Sequence, residues 1–360
     1  MKDEGAVSFF IPGLEGGGSQ RVFVNLANTL VDLTDHPIHL VVIRGGGAFG
    51  DELRSEVRLI NLGTGRASRS IPALARYLRT HRPRVFLTTL YYSNVAAIIA
   101  WRLAGRPCRL VVREANVLRE PGRLMRLLMR WTYPKADCVV VLSPEVRESV
   151  LQGGIGVPER MVEIGNPGVL PPIDEVSAPP AFLPRPCPRF ICAVGSLSHQ
   201  KGFDILLSAF AALPDRRLHL VILGEGPLME ELARQADSLE ISDRVHMPGF
   251  VKKPTSVIRH AALFVLPSRW EGFPNVLLEA LSAGVPVLAA DCQGAPRSML
   301  EGGQHGHLVP PEDPEALRDG IEAALKAPIG TPASRRARAE DFAADRIARQ
   351  YLEEAFLVPP

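Results

Sequence analysis

Cysteine is scarce in this sequence, and no two cysteines form a recognisable pair. The 360 residues include five cysteines, and none lies in a Cys-x-x-Cys motif. Scattered cysteines of this kind exclude a dense disulfide framework and a cysteine-rich zinc site. They indicate a reducing compartment. The five are Cys108, Cys138, Cys187, Cys192 and Cys292.

Long apolar runs and a strong net charge are missing as well. The longest apolar stretch of the first half, residues 94–101, is far shorter than the roughly 20 residues that span a bilayer. The N-terminus has acidic residues near its start and a short apolar run, which is typical of a first strand and not of a signal peptide. A net charge of +2 gives no argument for nucleic acid. We expect a cytoplasmic protein without a transmembrane helix and with no nucleic-acid partner.

The sequence does contain a regular alternation of short apolar runs and helical patterns. Runs typical of strands occupy residues 7–13, 39–45, 84–90, 109–114 and 137–143, and five more follow residue 189. Near-continuous apolar strands separated by helices predict parallel sheets that are covered on both faces. Because a single core stops growing near ~250–300 residues, the length predicts two Rossmann-like α/β domains with a ligand site in the cleft between them.

A proline-dense region without periodicity, residues 165–189, marks the domain boundary. We therefore predict an N-terminal domain at 1–168, a linker at 169–188 and a C-terminal domain at 189–340. A last helix at 341–360 could pack on either domain, including back on the N-terminal one.

Ligands of open α/β sheets bind beyond the carboxyl ends of the strands, so the strand exits carry the candidate sites. The first strand ends in "EGGGSQR", where Gly17 and Gly18 precede a helix whose N-terminus favours anions. The strand after the linker ends in "GSLSHQKGFD", where Lys201 and Gly202 suit a phosphate. The alternatives are a flexible loop for the glycines and an exposed lysine near a helix cap for Lys201.

Two further exits suit a planar base. "LGEGP" contains Glu225 in a permissive turn, and "RVHMPGFVKKP" places Phe250 and Val251 after a short strand. A loop of this kind could present backbone groups to a base, although either segment could simply be a turn.

The segment "SRWEGFPNVLLEALSAG" carries two carboxylates in an otherwise apolar stretch. Glu271 precedes the predicted helix at its positive end, and Glu279 lies about one turn inside it. Each would be costly to bury without a partner, and paired hydrogen-bond acceptors suit a polyhydroxylated ligand. The alternative is a capping acid followed by an exposed helical glutamate.

Taken together, these stretches resemble the retaining glycosyltransferases of family 4, which have the GT-B fold of two Rossmann-like parallel-sheet domains facing across a cleft. "GGSQRVFVNLA", "GSLSHQKGFD", "LGEGP", "RVHMPGF" and "SRWEGFPNVLLEALSAGVPVLAAD" occur in the family's order. The resemblance covers nearly the whole chain and is most specific in the C-terminal domain. Glu271 and Glu279 match the family's Glu-x7-Glu motif.

The resemblance implies a role for each motif. Glu271 would contact hydroxyls of the donor sugar near the reacting carbon, Glu279 would hold the ribose, and Lys201 would neutralise the leaving diphosphate. Gly17 and Gly18 would approach that diphosphate from the N-terminal domain. No bound metal and no cofactor are expected. The remaining donor contacts implied are Glu225, Phe250 and Val251 near the base, and Gly272, Phe273, Pro274, Asn275 and Val276 at the phosphates.

The sequence departs from the family pattern in two places. Ser196 stands where many members have an arginine that pairs with the diphosphate. The fourth N-terminal strand ends in "VVREANVLRE" instead of leading to a histidine, which resembles a branch acting on bacterial surface polysaccharides and lipid-linked oligosaccharides. Arg113 and Glu114 thus become catalytic candidates, and Asn116 a donor-binding one.

The function implied is transfer of a hexose or N-acetylhexosamine, with retention, from a nucleotide diphosphate sugar to a glycan or lipid-linked acceptor. UDP is the expected nucleotide. The alternatives are a UDP-sugar epimerase of similar fold and a non-catalytic protein that binds nucleotide sugars.

Residues 122–136, "GRLMRLLMRWTYPKA", form a basic amphipathic pattern. Arg123, Arg126 and Arg130 recur at helical spacing, and leucines with Trp131 fill much of the remainder. Such a helix suits an anionic bilayer surface, and the resemblance favours peripheral contact with the inner face of the cell membrane. The alternative is a core-facing helix with a solvated arginine face.

Overall fold

The computed structural model describes residues 5–15, 17–47, 49–118, 122–168 and 178–358. The chain divides into two compact units. The first unit comprises Met1–Val169 together with Phe342–Pro360, and the second comprises Leu170–Asp341. Each unit is built around a parallel sheet, as the alternating pattern predicts.

The sheet of the first unit has seven strands within the described residues, in the order β3-β2-β1-β4-β5-β6-β7. Every pairing is parallel. The central strands are buried along their whole length, and most of their residues are apolar, as is typical of a parallel sheet covered on both faces. The strands are β1 Val7–Ile11, β2 Ile38–Val42, β3 Val57–Asn61, β4 Val85–Thr89, β5 Arg109–Glu114, β6 Cys138–Val141 and β7 Met161–Glu163.

Helices connect these strands and cover the sheet. Their ends follow local chemistry: α5 begins after Ser143, whose Oγ accepts a hydrogen bond from the Val146 amide, and α2 ends at Arg82 in a left-handed conformation. The helices are α1 Gly18–Leu30, α2 Ala67–His81, α3 Tyr91–Leu103, α4 Arg123–Thr132 and α5 Pro144–Gln152.

The second unit has a six-stranded parallel sheet in the order β10-β9-β8-β11-β12-β13 within the described residues. Its strands are β8 Phe190–Val194, β9 His219–Leu223, β10 Val245–Gly249, β11 Leu263–Leu266, β12 Val287–Ala290 and β13 His307–Val309. Its helices are α6 Phe203–Ala211, α7 Met229–Ser238, α8 Thr255–Ile258, α9 Asn275–Ala283, α10 Pro296–Met299, α11 Pro314–Lys326 and α12 Pro332–Glu340.

Both sheets reverse their strand order at an internal point, between β1 and β4 in the first unit and between β8 and β11 in the second. Loops that leave neighbouring strands in opposite directions open a crevice at such a switch point, which is where α/β sheets bind ligands. In the second unit, the switch point predicts a ligand site at the carboxyl ends of β8 and β11.

The end of the chain belongs to the first unit. Helix α13 (Ala344–Gln350) continues into a π-helical segment, Tyr351–Phe356, whose Phe356 packs edge-on against Phe9 of β1. Of the predicted linker, residues 169–177 lie outside the described residues, and residues 178–188 contain no helix or strand. No helix in the described part of the chain has the length and apolarity needed to cross a bilayer.

Candidate functional site

A buried ion pair joins the exits of β8 and β11. Nζ of Lys201 donates a hydrogen bond to Oε1 of Glu271 at 2.7 Å, and Oγ of Ser268 donates to the same oxygen at 2.6 Å. Ser268 is fully buried and Glu271 is 4% exposed. A carboxylate at such depth is tolerated because it is paired and hydrogen-bonded. Sequence reasoning gave Lys201 and Glu271 separate roles and did not identify Ser268.

A glycine allows the two exits to approach each other. Gly202 has a φ of 65°, and a Cβ at this position would lie 2.1 Å from the carbonyl oxygen of Pro267. Any other residue would therefore push the Lys201 loop away from the end of β11. The stem of Lys201 passes over Gly195, where a Cβ would lie 3.2 Å from it.

Arg269 ties the same two loops together from the other side. Its guanidinium donates two hydrogen bonds to the Asp204 carboxylate, at 2.8 and 2.6 Å, and one to the His199 carbonyl oxygen at 2.7 Å. Burial is the largest single influence on Asp204 and acts to raise its pKa, but the hydrogen bonds and charge of Arg269, together with backbone hydrogen bonds, outweigh it and lower the pKa. We call the two parallel hydrogen bonds from Arg269 to Asp204 a fork. The sequence did not predict this fork, because its partners are 65 residues apart.

Glu271 leads into helix α9, as predicted, and Glu279 lies in the second turn, half-buried. The Glu271 amide donates to the Gln293 carbonyl oxygen at 2.9 Å, which fixes the turn before the helix. The first turn of any helix carries N–H groups without intrahelical acceptors and a partial positive charge, so this end of α9 suits a phosphate. The predicted phosphate contacts are placed there: Gly272, Phe273 and Pro274 are buried, and Asn275 and Val276 are half-buried.

The exits of β8, β9 and β10 form a second wall of this site. The Leu197 amide donates to the Glu225 carbonyl oxygen at 2.9 Å, and a Cβ on Gly224 would lie 1.9 Å from the carbonyl oxygen of Gly195. Oε1 of Glu225 accepts a hydrogen bond from the Phe250 amide at 3.4 Å. The Phe250 ring is 68% exposed and the Val251 side chain is half-buried, so an aromatic face stands open next to Glu225.

Ser196 lies exposed in the exit of β8, where its Oγ is 3.2 Å from Oγ of Ser198. Two hydroxyls therefore occupy the edge of the Lys201 loop. They can donate hydrogen bonds to an anion, but they supply no charge.

Gly17 and Gly18 lie where the sequence predicts, at the start of α1 in the first unit. The helix begins at Gly18, and Gly17 has a φ of 136°. A Cβ on Gly17 would lie 2.6 Å from the side-chain oxygen of Gln20. Their contact with a diphosphate stays a prediction.

Arg113 and Glu114 are buried side chains at the end of β5. Arg113 is 1% exposed and donates hydrogen bonds to Oγ1 of Thr89, at 2.9 Å, and to Oδ1 of Asn166. Oε2 of Glu114 accepts a hydrogen bond from the Tyr133 hydroxyl at 2.8 Å. These bonds hold both side chains at the end of β5, and their catalytic roles stay predictions.

Burial is the main influence on the ionisation of this pair. It raises the pKa of Glu114 to about 7, against the opposing hydrogen bond from Tyr133. It lowers the pKa of Arg113 and raises that of Tyr133. Asn116, in contrast, is exposed and free of this enclosure. Within the described residues, no group of three or more histidine, cysteine or acidic side chains could hold a metal ion.

Two family models match the chain, one in each unit. Residues 17–167 match the glycosyl transferase 4-like domain, and residues 180–344 match the glycosyl transferases group 1. The second match contains the whole cluster around Lys201, Glu271 and Glu279.

Individual relatives extend this similarity. The chain is 28% identical over 337 residues to an α-1,4-N-acetyl-D-galactosaminyltransferase of Campylobacter jejuni that is named for an undecaprenol-diphosphate-linked oligosaccharide, with 89% of this chain and 88% of that protein covered. It is 36% identical over 109 residues to an uncharacterized glycosyltransferase of Methanocaldococcus jannaschii, which covers 30% of this chain and only 27% of that protein.

The crystal structure of Anabaena HepE in complex with UDP and glucose superimposes with a TM-score of 0.81. It covers 99% of this chain and all of HepE at 20% identity. A likeness at this level of identity establishes the fold, which is GT-B.

Proposed function

We propose that the chain, which has the GT-B fold and matches two glycosyl transferase family models, transfers a hexose or N-acetylhexosamine from a UDP-sugar to an acceptor with retention of configuration. The observation that carries this proposal is the cluster of Lys201, Ser268 and Glu271 beside the N-terminus of α9. It combines a cation, an enclosed carboxylate and a helix dipole, which is what a sugar diphosphate requires.

The donor would lie along the strand exits of the second unit. Its diphosphate would bind at the start of α9 and at Lys201, whose ammonium has three protons and can bond a phosphate while keeping Glu271. The second carboxylate oxygen of Glu271 would accept hydrogen bonds from the sugar hydroxyls, and Glu279 would hold the ribose. The exposed ring of Phe250 would stack on the base. The UDP complex of the similar Anabaena protein supports UDP as the nucleotide.

In the proposed reaction, the acceptor hydroxyl attacks the anomeric carbon from the face that the diphosphate leaves. The new bond joins the acceptor oxygen to the anomeric carbon, and the bond from that carbon to the phosphate oxygen breaks. The acceptor proton passes to the leaving phosphate, so no protein carboxylate is needed as nucleophile. Lys201 and α9 would stabilise the charge that grows on the diphosphate, and we propose that they do so without a bound metal.

The acceptor would be a glycan or a lipid-linked glycan at the cytoplasmic face of the membrane. The name of the Campylobacter relative supports this class of acceptor. So does the surface of α4, where Leu124, Leu127 and Trp131 are 73%, 61% and 57% exposed on the helix that also carries the three arginines. On the same helix Met129 is buried and Met125 and Leu128 are half-buried, so α4 has apolar side chains on both its inner and its outer side, and the membrane contact stays a prediction.

More positive charge surrounds that face. Nζ of Lys135 lies 3.3 Å from the ring centroid of Trp131, and the pKa of Lys135 is lowered by burial and by the nearby Arg102 and Arg106. We infer that this face of the first unit lies against anionic lipid.

The test is a mass-spectrometric screen of UDP- and GDP-sugars against soluble and lipid-linked acceptors, with nuclear magnetic resonance of the product's anomeric centre. The expected result is a glycoside with the anomeric configuration of the donor. Inversion would overturn the mechanism. Binding of UDP-sugars without turnover across the whole panel would favour a non-catalytic binding protein, and a changed sugar in the absence of acceptor would favour an epimerase.

A further inference from the structure

The first unit contains an open cavity of about 550 Å³ at the carboxyl ends of β1 and β2, between α2, α3 and the inner side of α4. This volume lies within the range of small-molecule sites, roughly 300–1,000 Å³. No motif of the sequence predicts it, because its walls come from the loops after two strands and from three separate helices.

The walls of the cavity are mainly apolar. They include Ile71 of α2, Val95 and Ile99 of α3, and Met125 and Leu128 of α4. A site for a sugar alone needs hydrogen-bonding groups on most sides, since every hydroxyl must exchange its water for another partner. Walls of this kind fit a hydrocarbon chain instead.

The polar side chains that line the cavity carry a positive excess. They are Arg44 and Arg66, one carboxylate, Glu15, and the uncharged Ser68 and Tyr92. Nη2 of Arg44 donates to the carbonyl oxygen of Gly65, another lining residue, at 2.9 Å, which fixes the position of this guanidinium. Two guanidinium groups in the lining of a mainly apolar cavity complement an anionic group attached to an apolar chain.

We propose that this cavity binds the hydrocarbon chain of an amphiphilic acceptor, with the acceptor's phosphate against Arg44 and Arg66. The inference rests on the proposed function and deepens it, because it names the chemical class of the acceptor. Helix α4 lies between the cavity and the surface. Met125 and Leu128 line the cavity, whereas Leu124 and Leu127 are exposed at the surface. In this proposal, the hydrocarbon chain passes along α4 from the bilayer surface into the cavity.

The direct test is calorimetric binding of ethyl, butyl, hexyl and octyl phosphate to the whole chain, below their micellar concentrations. Each buried methylene is expected to tighten binding about fourfold until the cavity is full. Inorganic phosphate should bind weakly. An affinity that does not depend on chain length would overturn the proposal.

Paired variants separate the cavity from general surface effects. Ile99→Gln should flatten the dependence on chain length, whereas Leu103→Gln, one turn further along α3 and 62% exposed, should leave it unchanged. Ile71→Gln, on a different helix, provides a second variant if Ile99→Gln fails to fold. Arg66→Gln should weaken all four phosphates by a similar factor, and Arg69→Gln, which does not line the cavity, should weaken none. If affinity rises equally steeply with alkyl chain length in the Ile99→Gln and Leu103→Gln proteins, the cavity does not bind the hydrocarbon chain.

A bilayer phospholipid offers the same chemistry as the acceptor, so a last comparison distinguishes them. Transfer onto an octyl-linked N-acetylhexosaminyl diphosphate should exceed transfer onto its methyl-linked counterpart, and the excess should vanish in Ile99→Gln. If monomeric dihexanoyl phosphatidylglycerol instead binds as tightly as octyl phosphate and shows the same dependence on Ile99, the occupant is membrane lipid and the acceptor assignment is wrong. Alkyl phosphate binding needs no turnover, so its failure is distinguishable from failure of the glycosyl transfer itself.

Discussion

Nζ of Lys201 and Oε1 of Glu271 lie 2.7 Å apart, although 70 residues separate them in the chain. The side chain of Lys201 is 17% exposed and that of Glu271 is 5% exposed. Lys201 is thus exposed enough to contact a ligand, while both charges are buried enough that each is stabilised by the other. Substitutions of Lys201 and of Glu271 are therefore expected to have different effects.

Glu271→Gln should lower the turnover of the enzyme strongly while the protein stays folded. The amide keeps the shape of the side chain but loses the charge-assisted hydrogen bonds, which are worth about 1.5–3 kcal/mol, or roughly 10–150-fold in rate. Steady-state kinetics with saturating donor would measure the effect. Glu279→Ala should act mainly on donor binding, and Glu315→Gln, an exposed carboxylate of α11, should change neither. Normal kinetics in both site variants would mean that the site has been assigned wrongly.

Lys201→Ala should weaken UDP binding and lower the stability of the protein at the same time. The variant removes the cation that we propose for the diphosphate, and it leaves Glu271 buried without its ion-pair partner, although the hydrogen bond from Ser268 remains. Breaking a buried pair on one side costs up to about 3–5 kcal/mol, and partial exposure of Lys201 should reduce that cost. The double variant Lys201→Ala with Glu271→Gln should therefore unfold at higher denaturant concentration than Lys201→Ala alone. Calorimetry that shows unchanged UDP affinity in the folded single variant would reject the proposed role.

Arg269 should act on the donor site without touching the donor. Its fork to Asp204 and its bond to His199 hold the loop that carries Lys201. Arg269→Gln is expected to weaken UDP binding. The effects of Arg269→Gln and Asp204→Asn on UDP binding should not be additive, and a double-mutant cycle should give a coupling energy of about 0.5–3 kcal/mol. Arg318→Gln removes a comparable pair with Asp319 on the surface of α11 and serves as the control. Strictly additive effects at Arg269 and Asp204 would show that the fork does not position the loop.

The sequence predicts elements best where local pattern and burial agree. Strand β5 is predicted and observed at residues 109–114, because its apolar run is buried along most of its length. Strand β3 was not predicted, since Arg58 and Leu59 are exposed at the sheet edge and break the apolar run. Strands β7 and β13 were not predicted either, as each has only three residues.

In the candidate site too, the features that depend on local sequence were predicted, and those that depend on tertiary contacts were not. The placement of Glu271 before α9 and of Glu279 one turn inside follows from local spacing and is confirmed. The contacts of Lys201 with Glu271 and of Arg269 with Asp204 depend on which strands are neighbours in the sheet, and no local pattern encodes that order. The apolar cavity was missed for the same reason, since its lining residues become neighbours only when α2, α3 and α4 pack.

The stability of the protein should depend on pH through Glu114. Burial, which outweighs the hydrogen bond from Tyr133, raises the pKa of this carboxyl from 4.5 to about 7. The folded state therefore holds the proton more tightly than the unfolded chain, and this contribution to stability is present at low pH and is lost as the pH rises from about 4.5 to about 7. It amounts to a few kcal/mol at most, since one pKa unit corresponds to about 1.4 kcal/mol.

In the Glu114→Gln protein, the free energy of unfolding is expected to depend less on pH between pH 5 and pH 8 than it does in the parent protein. Denaturant titrations at several pH values would measure it. Glu148→Gln, an exposed carboxylate on α5, is the matched control and should keep the slope of the parent protein. A slope that survives in Glu114→Gln would show that another group is responsible.

Both electrostatic attraction and burial of apolar side chains should contribute to the binding of α4 to a membrane. Each basic residue near an anionic surface contributes about 1 kcal/mol, so reversing Arg123, Arg126 and Arg130 to Glu should weaken binding to vesicles that contain phosphatidylglycerol by roughly 100-fold or more. Salt should weaken the parent protein's binding, because the Debye length is only about 8 Å at 0.15 M. Flotation of the protein with vesicles at low and high salt would measure both effects.

Two further variants make this test specific to α4. Changing Leu124 and Leu127 to Ser should weaken binding at high salt as well as at low salt, since the exposed leucines are insensitive to screening. Changing Arg58, Arg76 and Arg79 to Glu removes the same charge from other exposed parts of the first unit and should have a smaller effect. If both arginine triplets weaken binding equally, the net charge of the unit and not the surface of α4 attracts the membrane. If the parent protein does not float at low salt, the acceptor reaches the enzyme without a membrane contact.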